Sequence, residues 1–170
     1  KNNKFSDNWN PLNLLSTDAS TVGNLDLGII DKSNKILDEL HNNKFEIIFL
    51  MGQDNLDFKK KDEFVIYQGS HGDKGAEIAD IILPGSAFTE QSGHYTNLEG
   101  KLQKAYKASY PPGDAKEDWQ IINDLAEVMN NRKLFNDKNE LESSMLNYLK
   151  INQDQQSSEI NKINDNDFND

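Results

Sequence analysis

The sequence predicts an α/β fold with a largely parallel sheet and flanking helices. Three short apolar runs support this prediction: Phe45–Met51, Phe64–Tyr67 and Ile81–Leu83, each followed closely by glycine. Nearly unbroken apolar runs of this length are typical of parallel strands that are buried on both faces. A helical pattern before the first run favours strands that alternate with helices. Pro84 is expected to end the third strand, because proline has no N–H for the ladder.

Upstream of the first strand, the apolar run at residues 12–15 predicts a short strand. The polar and glycine residues within 17–28 predict a winding loop. A helix is then expected from Asp31 or Ser33 to about Asn42, because its apolar residues recur at i, i+1 and i+4. This helix would lie next to the predicted sheet.

In the second half of the chain, Gly93–Lys107 predicts extended segments around a turn at Gly100. Asp114 is expected to cap the following helix, with the true start a residue or two later. One helical face would be apolar, with Trp119, Ile122, Leu125, Ala126 and Met129. A second helix is predicted near Asn139–Leu149.

The composition separates a globular part from a polar tail. Residues 1–150 are interpreted as one domain, and residues 151–170 as an acidic, disordered tail that has too few apolar residues to offset the entropy of ordering. Because the chain begins with Lys1 rather than Met, we expect it to be a fragment or a processed product.

Charge and cysteine content exclude several functions. The net charge is -11 and no basic stripe exists, so nucleic-acid binding is not expected. The absence of cysteine excludes disulfides, thiolate zinc sites and ordinary iron–sulfur ligation within this chain. No apolar run approaches 18 residues, so no direct insertion into a membrane is predicted.

A glycine-rich loop follows the second predicted strand at residues 67–76. Three glycines after a strand allow close approach of a ligand, but the spacing fits neither GxGxxG nor a phosphate-binding P-loop. Within it, His71 and Asp73 have the chemistry of a base and its orienter, or of two metal ligands. We favour a tight turn that these two side chains shape by hydrogen bonding, so no catalytic or metal residue is predicted.

Hydroxyl and carboxylate groups downstream give no stronger signal. The hydroxyl residues near Glu90 are Ser86, Thr89, Ser92 and Thr96. None of them lies in a Gly-x-Ser-x-Gly elbow, the turn that carries the nucleophile of many hydrolases. Glu90 and Glu99 have the chemistry of a glycosidase carboxylate pair, but spacing in the sequence cannot bring them together. We interpret both as surface or capping carboxylates.

The segment 79–103 resembles the molybdopterin oxidoreductase superfamily. It reads ADIILPGSAFTEQSGHYTNLEGKLQ, and the family pattern is Ala-Asp, an apolar stretch and Leu-Pro, then Glu, Gly, an aromatic residue, Asn, Glu-Gly-Arg and Gln. Residues 66–76, 109–119 and 13–28 are similar to the large iron–sulfur subunits of respiratory complex I, the NADH-quinone oxidoreductase. The resemblance covers residues 9–130.

This resemblance implies a scaffold domain that has lost the molybdenum cofactor. In catalytic relatives the Glu-Gly-Arg loop lies by the pterin, and its counterpart here is Glu99, Gly100 and Lys101. Lysine in place of arginine cannot hold a planar group with a bidentate fork, so these positions are expected to be vestigial and to bind no cofactor. The resemblance places 2Fe-2S and 4Fe-4S clusters in an N-terminal part that is absent from this chain.

The same resemblance implies the partners and the location. The partners would be other peripheral-arm subunits of complex I, on the matrix side of the mitochondrial inner membrane or the cytoplasmic side of a bacterial one. Two alternatives stay open: a fragment of a molybdopterin-dependent oxidoreductase, and a free-standing binding module from a split gene.

Overall fold

The computed structural model describes residues 21–29, 35–55 and 59–150. The elements are α1 (Thr21–Asp26), α2 (Lys35–His41), β1 (Ile47–Met51), β2 (Phe64–Gly69), α3 (Lys74–Ile78), β3 (Ile81–Pro84), β4 (Gly93–Thr96), β5 (Leu102–Ala105), α4 (Asp118–Asn130) and α5 (138–150). The strand predicted at 12–15, the caps at Asp31 and Ser33, and the tail from residue 151 lie outside the described residues.

The described residues form two compact units. The first contains residues 21–29, 94–104 and 145–150, and the second contains residues 35–55, 59–93 and 105–144. No helix in the described ranges is both long and apolar enough to cross a membrane.

The second unit is built on a parallel sheet in the order β1-β2-β3. Ile48 pairs with Val65, and Tyr67 pairs with Ile82, so all three strands run in the same direction. The predicted α/β class and parallel sheet are confirmed. β4 and β5 form a separate two-stranded sheet. They correspond to the extended segments that were predicted on either side of the turn at Gly100.

The core lies on one face of the parallel sheet. Its buried members come from α2, β1 and β2: Leu40, Ile48, Leu50, Val65 and Tyr67. Ala76 and Ile78 of α3 pack against this cluster. Burial of each large apolar side chain stabilises the fold by about 1.5–3 kcal/mol. The helices α2 and α3 therefore cover the same face.

The expectation that the strands are buried on both faces is wrong. On the face opposite the core, Ile47 is 64% exposed, Phe64 43% and Ile81 45%. Successive side chains of a strand point to opposite faces, and α2 and α3 cover one of them. The opposite face is covered by α4 at the carboxyl end of the sheet, where Gln68 bonds to Asp118. The apolar runs indicated strands correctly, but the cover on each face depends on elements that are distant in the sequence.

The start of α4 also differs from the prediction. Glu117, not Asp114, is the N-cap, and it forms a capping box with Gln120. The residues before it are held out of the helix, because the Lys116 N–H donates to the Pro84 carbonyl at 3.1 Å. On the predicted apolar face Ala126 is buried, whereas Met129 is 72% exposed. The second predicted helix is confirmed as α5.

The predicted loop at residues 17–28 is wrong where the structure describes it, because α1 spans Thr21–Asp26. A Cβ on Gly23 would lie 3.1 Å from the Thr96 hydroxyl oxygen, so glycine allows this short helix to approach β4. The helix ends near Gly28, whose φ of +67° is readily adopted by glycine. The two glycines are thus compatible with a helix and its termination.

Candidate functional site

The carboxyl ends of β1, β2 and β3 meet at one edge of the parallel sheet. Open α/β sheets usually bind their ligands at this edge. The three strands are followed by residues 52–55, by the part of the glycine-rich loop 67–76 that lies beyond β2, and by residues 85–92. This edge is therefore the candidate site.

The glycine-rich loop is shaped around Tyr67. A Cβ on Gly69 would lie 2.4 Å from the tyrosine oxygen, and a Cβ on Gly75 would lie 2.6 Å from the ring. The tyrosine oxygen itself lies 3.1 Å from a carboxylate oxygen of Asp54 and 3.0 Å from the His71 carbonyl. Two of the glycines are thus explained by packing against a buried ring.

Asp54 links this loop to the end of β1. Its second carboxylate oxygen accepts the Gly75 N–H at 2.9 Å, while the first faces Tyr67. Burial, and then the hydrogen bond to Asp54, raise the pKa of Tyr67 above its usual value of 10. Tyr67 therefore stays a neutral hydrogen-bond donor at physiological pH.

His71 and Asp73 are both exposed and do not form a base-and-orienter pair. The ring nitrogen Nδ1 of His71 lies 2.9 Å from the Ser70 hydroxyl. Asp73 is the N-cap of α3, but its side chain makes no capping hydrogen bond. His71 thus contacts the loop through its ring, at Ser70, and through its carbonyl, at Tyr67, whereas Asp73 lacks the expected capping hydrogen bond.

The other predicted polar residues serve turns and loops. Glu90 accepts the Ala87 N–H at 2.9 Å, which confirms a capping carboxylate. The Ser92 hydroxyl accepts the Lys107 N–H at 3.1 Å. Within the described ranges, no group of three or more His, Cys, Asp or Glu residues gathers in a way that could hold a metal ion.

A polar cluster that sequence patterns do not reveal occupies the carboxyl edge beside β2 and β3. Gln68 and Gln91 each donate a side-chain amide to Asp118, at 2.8 and 2.9 Å. Gln68 is only 1% exposed, and a Cβ on Gly85 would lie 3.0 Å from the same carboxylate. We call Gln68, Gln91 and Asp118 the edge clamp. These side chains of the chain itself lie at the edge, and no sequence signal links Gln68 to Asp118, which is 50 positions further along the chain.

A second cluster that was not predicted surrounds Glu117, which is 8% exposed. Its carboxylate accepts hydrogen bonds from Lys138, from Lys107 at 3.2 Å and from the Trp119 indole at 3.2 Å. Burial alone would raise the pKa of Glu117, but the hydrogen bonds from Lys138 and Lys107 outweigh it and lower the pKa. The Glu-x-x-Gln spacing of residues 117–120 was the one sequence signal that could have revealed this residue.

The positions that resemble a pterin loop lie in the turn between β4 and β5, in the first unit. Glu99, Gly100 and Lys101 are all exposed. The amides of Glu99 and Lys101 donate to the Asn97 side-chain oxygen at 3.0 and 2.8 Å. The Gly100 amide donates to the Asn97 carbonyl at 3.0 Å. The amides of all three residues are therefore engaged by Asn97.

Comparison with known proteins agrees with the segment-by-segment resemblance. A family model described as molybdopterin oxidoreductase matches residues 1–128. The chain is 48% identical over 128 residues to the NADH-ubiquinone oxidoreductase 75 kDa subunit of Reclinomonas americana, covering 74% of this chain and 18% of that protein. It is 42% identical over 169 residues to the G subunit of the NADH-quinone oxidoreductase of Rickettsia bellii, covering 99% of this chain and 23% of that protein.

A plant relative gives the same result. The chain is 44% identical over 129 residues to the mitochondrial NADH dehydrogenase [ubiquinone] iron-sulfur protein 1 of Solanum tuberosum, covering 75% of this chain and 17% of that protein. The chain thus spans about a fifth of the length of these relatives. With the family match extending over residues 1–128 and a parallel α/β sheet within that range, the chain belongs to the molybdopterin oxidoreductase family.

Proposed function

We propose that this chain is a structural domain of the peripheral arm of a proton-pumping NADH:quinone oxidoreductase. The observation that carries the proposal is the 42–48% identity to proteins named as subunits of such enzymes. The carboxyl edge of the sheet supports it, because the edge clamp places Gln68, Gln91 and Asp118 where α/β proteins commonly bind ligands. The domain would contribute packing surface, and the whole subunit would carry the electrons.

The chain itself holds no redox cofactor in this proposal. Without cysteine it cannot supply thiolate ligands, so the 2Fe-2S and 4Fe-4S clusters would lie elsewhere in the whole subunit. The turn at Glu99, Gly100 and Lys101 would bind no pterin, because Asn97 occupies its amides. His71 and Asp73 would take no part in proton transfer.

The partners would be other subunits of the peripheral arm, which implies a peripheral location on a membrane-associated complex. That location would be the matrix side in a mitochondrion or the cytoplasmic side in a bacterium. The subunit names of the relatives support the assignment to such a complex.

A domain exchange tests the proposed function. The matching region of the Rickettsia bellii G subunit is replaced by this chain, and the complex is assembled with the other subunits of that enzyme. We expect assembly and NADH–quinone activity per complex close to those of the parent. Assembly failure with a folded chain would refute the proposal.

Elemental analysis and visible spectroscopy of the purified chain provide the second readout. Iron and molybdenum are expected well below one atom per chain, with no flavin or cluster absorbance. Stoichiometric molybdenum with a bound pterin would instead establish the molybdopterin-dependent oxidoreductase alternative.

A further inference from the structure

An apolar groove runs between α4 and β3 in the second unit. It has a volume of about 360 Å³, and its apolar lining consists of Leu83, Pro84, Ile121, Leu125 and Val128. Ile121, Leu125 and Val128 follow one another at i, i+4 and i+7, which is one stripe along a helix. The groove therefore has the lining of a helix-docking surface rather than that of a polar ligand site.

The groove continues onto the exposed face of the sheet. Ile81 and Leu83 alternate with Ile82, so they point to the face opposite the core. Ile81 is 45% exposed there. β3 is also an edge strand of the three-stranded sheet in the described residues. Parallel sheets normally have both faces covered, whereas among the described residues Ile47, Phe64 and Ile81 leave part of this face exposed.

Charge opposes self-association through this surface. Two copies of a chain with a net charge of -11 would repel each other. In the matched relatives, in contrast, this region is only about a fifth of the chain. Their additional polypeptide is therefore the better source of an occupant than a second copy.

The rim of the groove indicates the charge of that occupant. It contains Asp114, Lys116 and Asp124, with one more carboxylate than ammonium group. Lys116 is engaged with Asp124 at 2.7 Å. An amphipathic helix with an apolar stripe and a flanking Lys or Arg would complement both the lining and the rim.

We propose that the groove between α4 and β3, with Ile81 beside it, docks an amphipathic helix from the remainder of the whole subunit. This inference rests on the proposed function, because it takes the chain as one part of a longer subunit. It adds the surface and the kind of segment that the surface binds.

Binding in trans tests the docking surface. The probe is the part of the Rickettsia bellii G subunit that lies outside the matched region, co-expressed and titrated with the full chain. Two pairs of neighbours give matched variants: Ile81→Asp against Ile82→Asp, and Val128→Asp against Met129→Asp. Ile82 is 54% exposed on the other face of β3, and Val128 and Met129 are 82% and 72% exposed on α4, so none of the four changes alters the core.

We expect Ile81→Asp and Val128→Asp to weaken binding by at least about tenfold, because each would bury a carboxylate in an apolar contact. The neighbours Ile82→Asp and Met129→Asp should stay within about twofold of the parent. Circular dichroism confirms that each variant is folded.

Three results would overturn the proposal. Equal affinities within both pairs would show that the subunit binds elsewhere on the chain, and the proposed function would stand. If the folded parent does not bind, the proposed docking of a helix is wrong. The domain exchange tests the proposed function independently of that result. A parent dimer in sedimentation that Ile81→Asp dissociates would identify a second copy as the occupant.

Discussion

Glu117→Gln removes one charge from the centre of the cluster that joins α4, α5 and the segment after β5. The carboxylate is 8% exposed and accepts hydrogen bonds from Lys107 and Lys138. Glutamine keeps nearly the same shape and one acceptor oxygen. The change therefore tests the charge of Glu117 with little effect on packing.

The expected loss of stability follows from the burial of the three groups. Removal of one partner from a fully buried ion pair costs about 3–5 kcal/mol. Here the lysine side chains of Lys107 and Lys138 are 37% and 25% exposed, so water can replace part of the lost interaction. We expect Glu117→Gln to lower the free energy of unfolding by about 1.5–3 kcal/mol at pH 7.

The pH dependence has a defined sign. The pKa of Glu117 is lowered in the folded protein, whereas its ordinary value is 4.5. The stabilising contribution is therefore fully present above pH 4.5 and is lost as the pH falls through the folded pKa. The difference between parent and variant should shrink as the pH falls below about 4.5 and through the lowered pKa of Glu117.

Urea unfolding followed by tryptophan fluorescence measures both effects, because Trp119 lies in the cluster and reports on it directly. Glu127→Gln on the same helix is the matched control. Its ion pair with Lys133 spans 3.6 Å between side chains that are about half exposed, so its loss should cost less than about 0.5 kcal/mol. Equal stability of Glu117→Gln and the parent at pH 7, or a difference that does not change on acidification, would refute the reasoning.

The remaining predictions concern the glycine-rich loop and the tail. Gly75→Ala should lower stability by about 1–3 kcal/mol in thermal melts, because its Cβ would lie 2.6 Å from the Tyr67 ring. Gly72→Ala is the control, since a Cβ there would meet no atom within 4 Å. Equal losses of stability in the two variants would contradict this packing. His71→Ala should change stability by less than about 0.5 kcal/mol, since the side chain is exposed. It should also leave NADH–quinone activity per assembled complex near normal, whereas a loss of about a hundredfold would indicate a general acid or base. Truncation after Ile151 should leave the melting temperature nearly unchanged, and a drop of several degrees would show that the tail docks.

The three strands were predictable because each is a short apolar run next to glycine or proline, and such local signals depend only on neighbouring residues. The start of α4 was misplaced because Asp114 has the residue type of a cap, whereas a backbone bond from Lys116 to Pro84 of β3 keeps the preceding segment extended. The edge clamp was not predictable, because Gln68 and Asp118 meet only after the sheet and α4 have packed.

The sequence by itself determined the α/β class, the family segment at residues 79–103 and the absence of cysteine ligands, because these depend on local pattern and composition. Only the tertiary structure decided that Tyr67 explains Gly69 and Gly75, and that Asn97 occupies the amides of the turn at residues 99–101. The physical reason is distance. A sequence pattern shows which residue types occur and how they are spaced along the chain. Hydrogen bonds and steric contacts depend instead on which residues the fold brings within a few ångströms of each other.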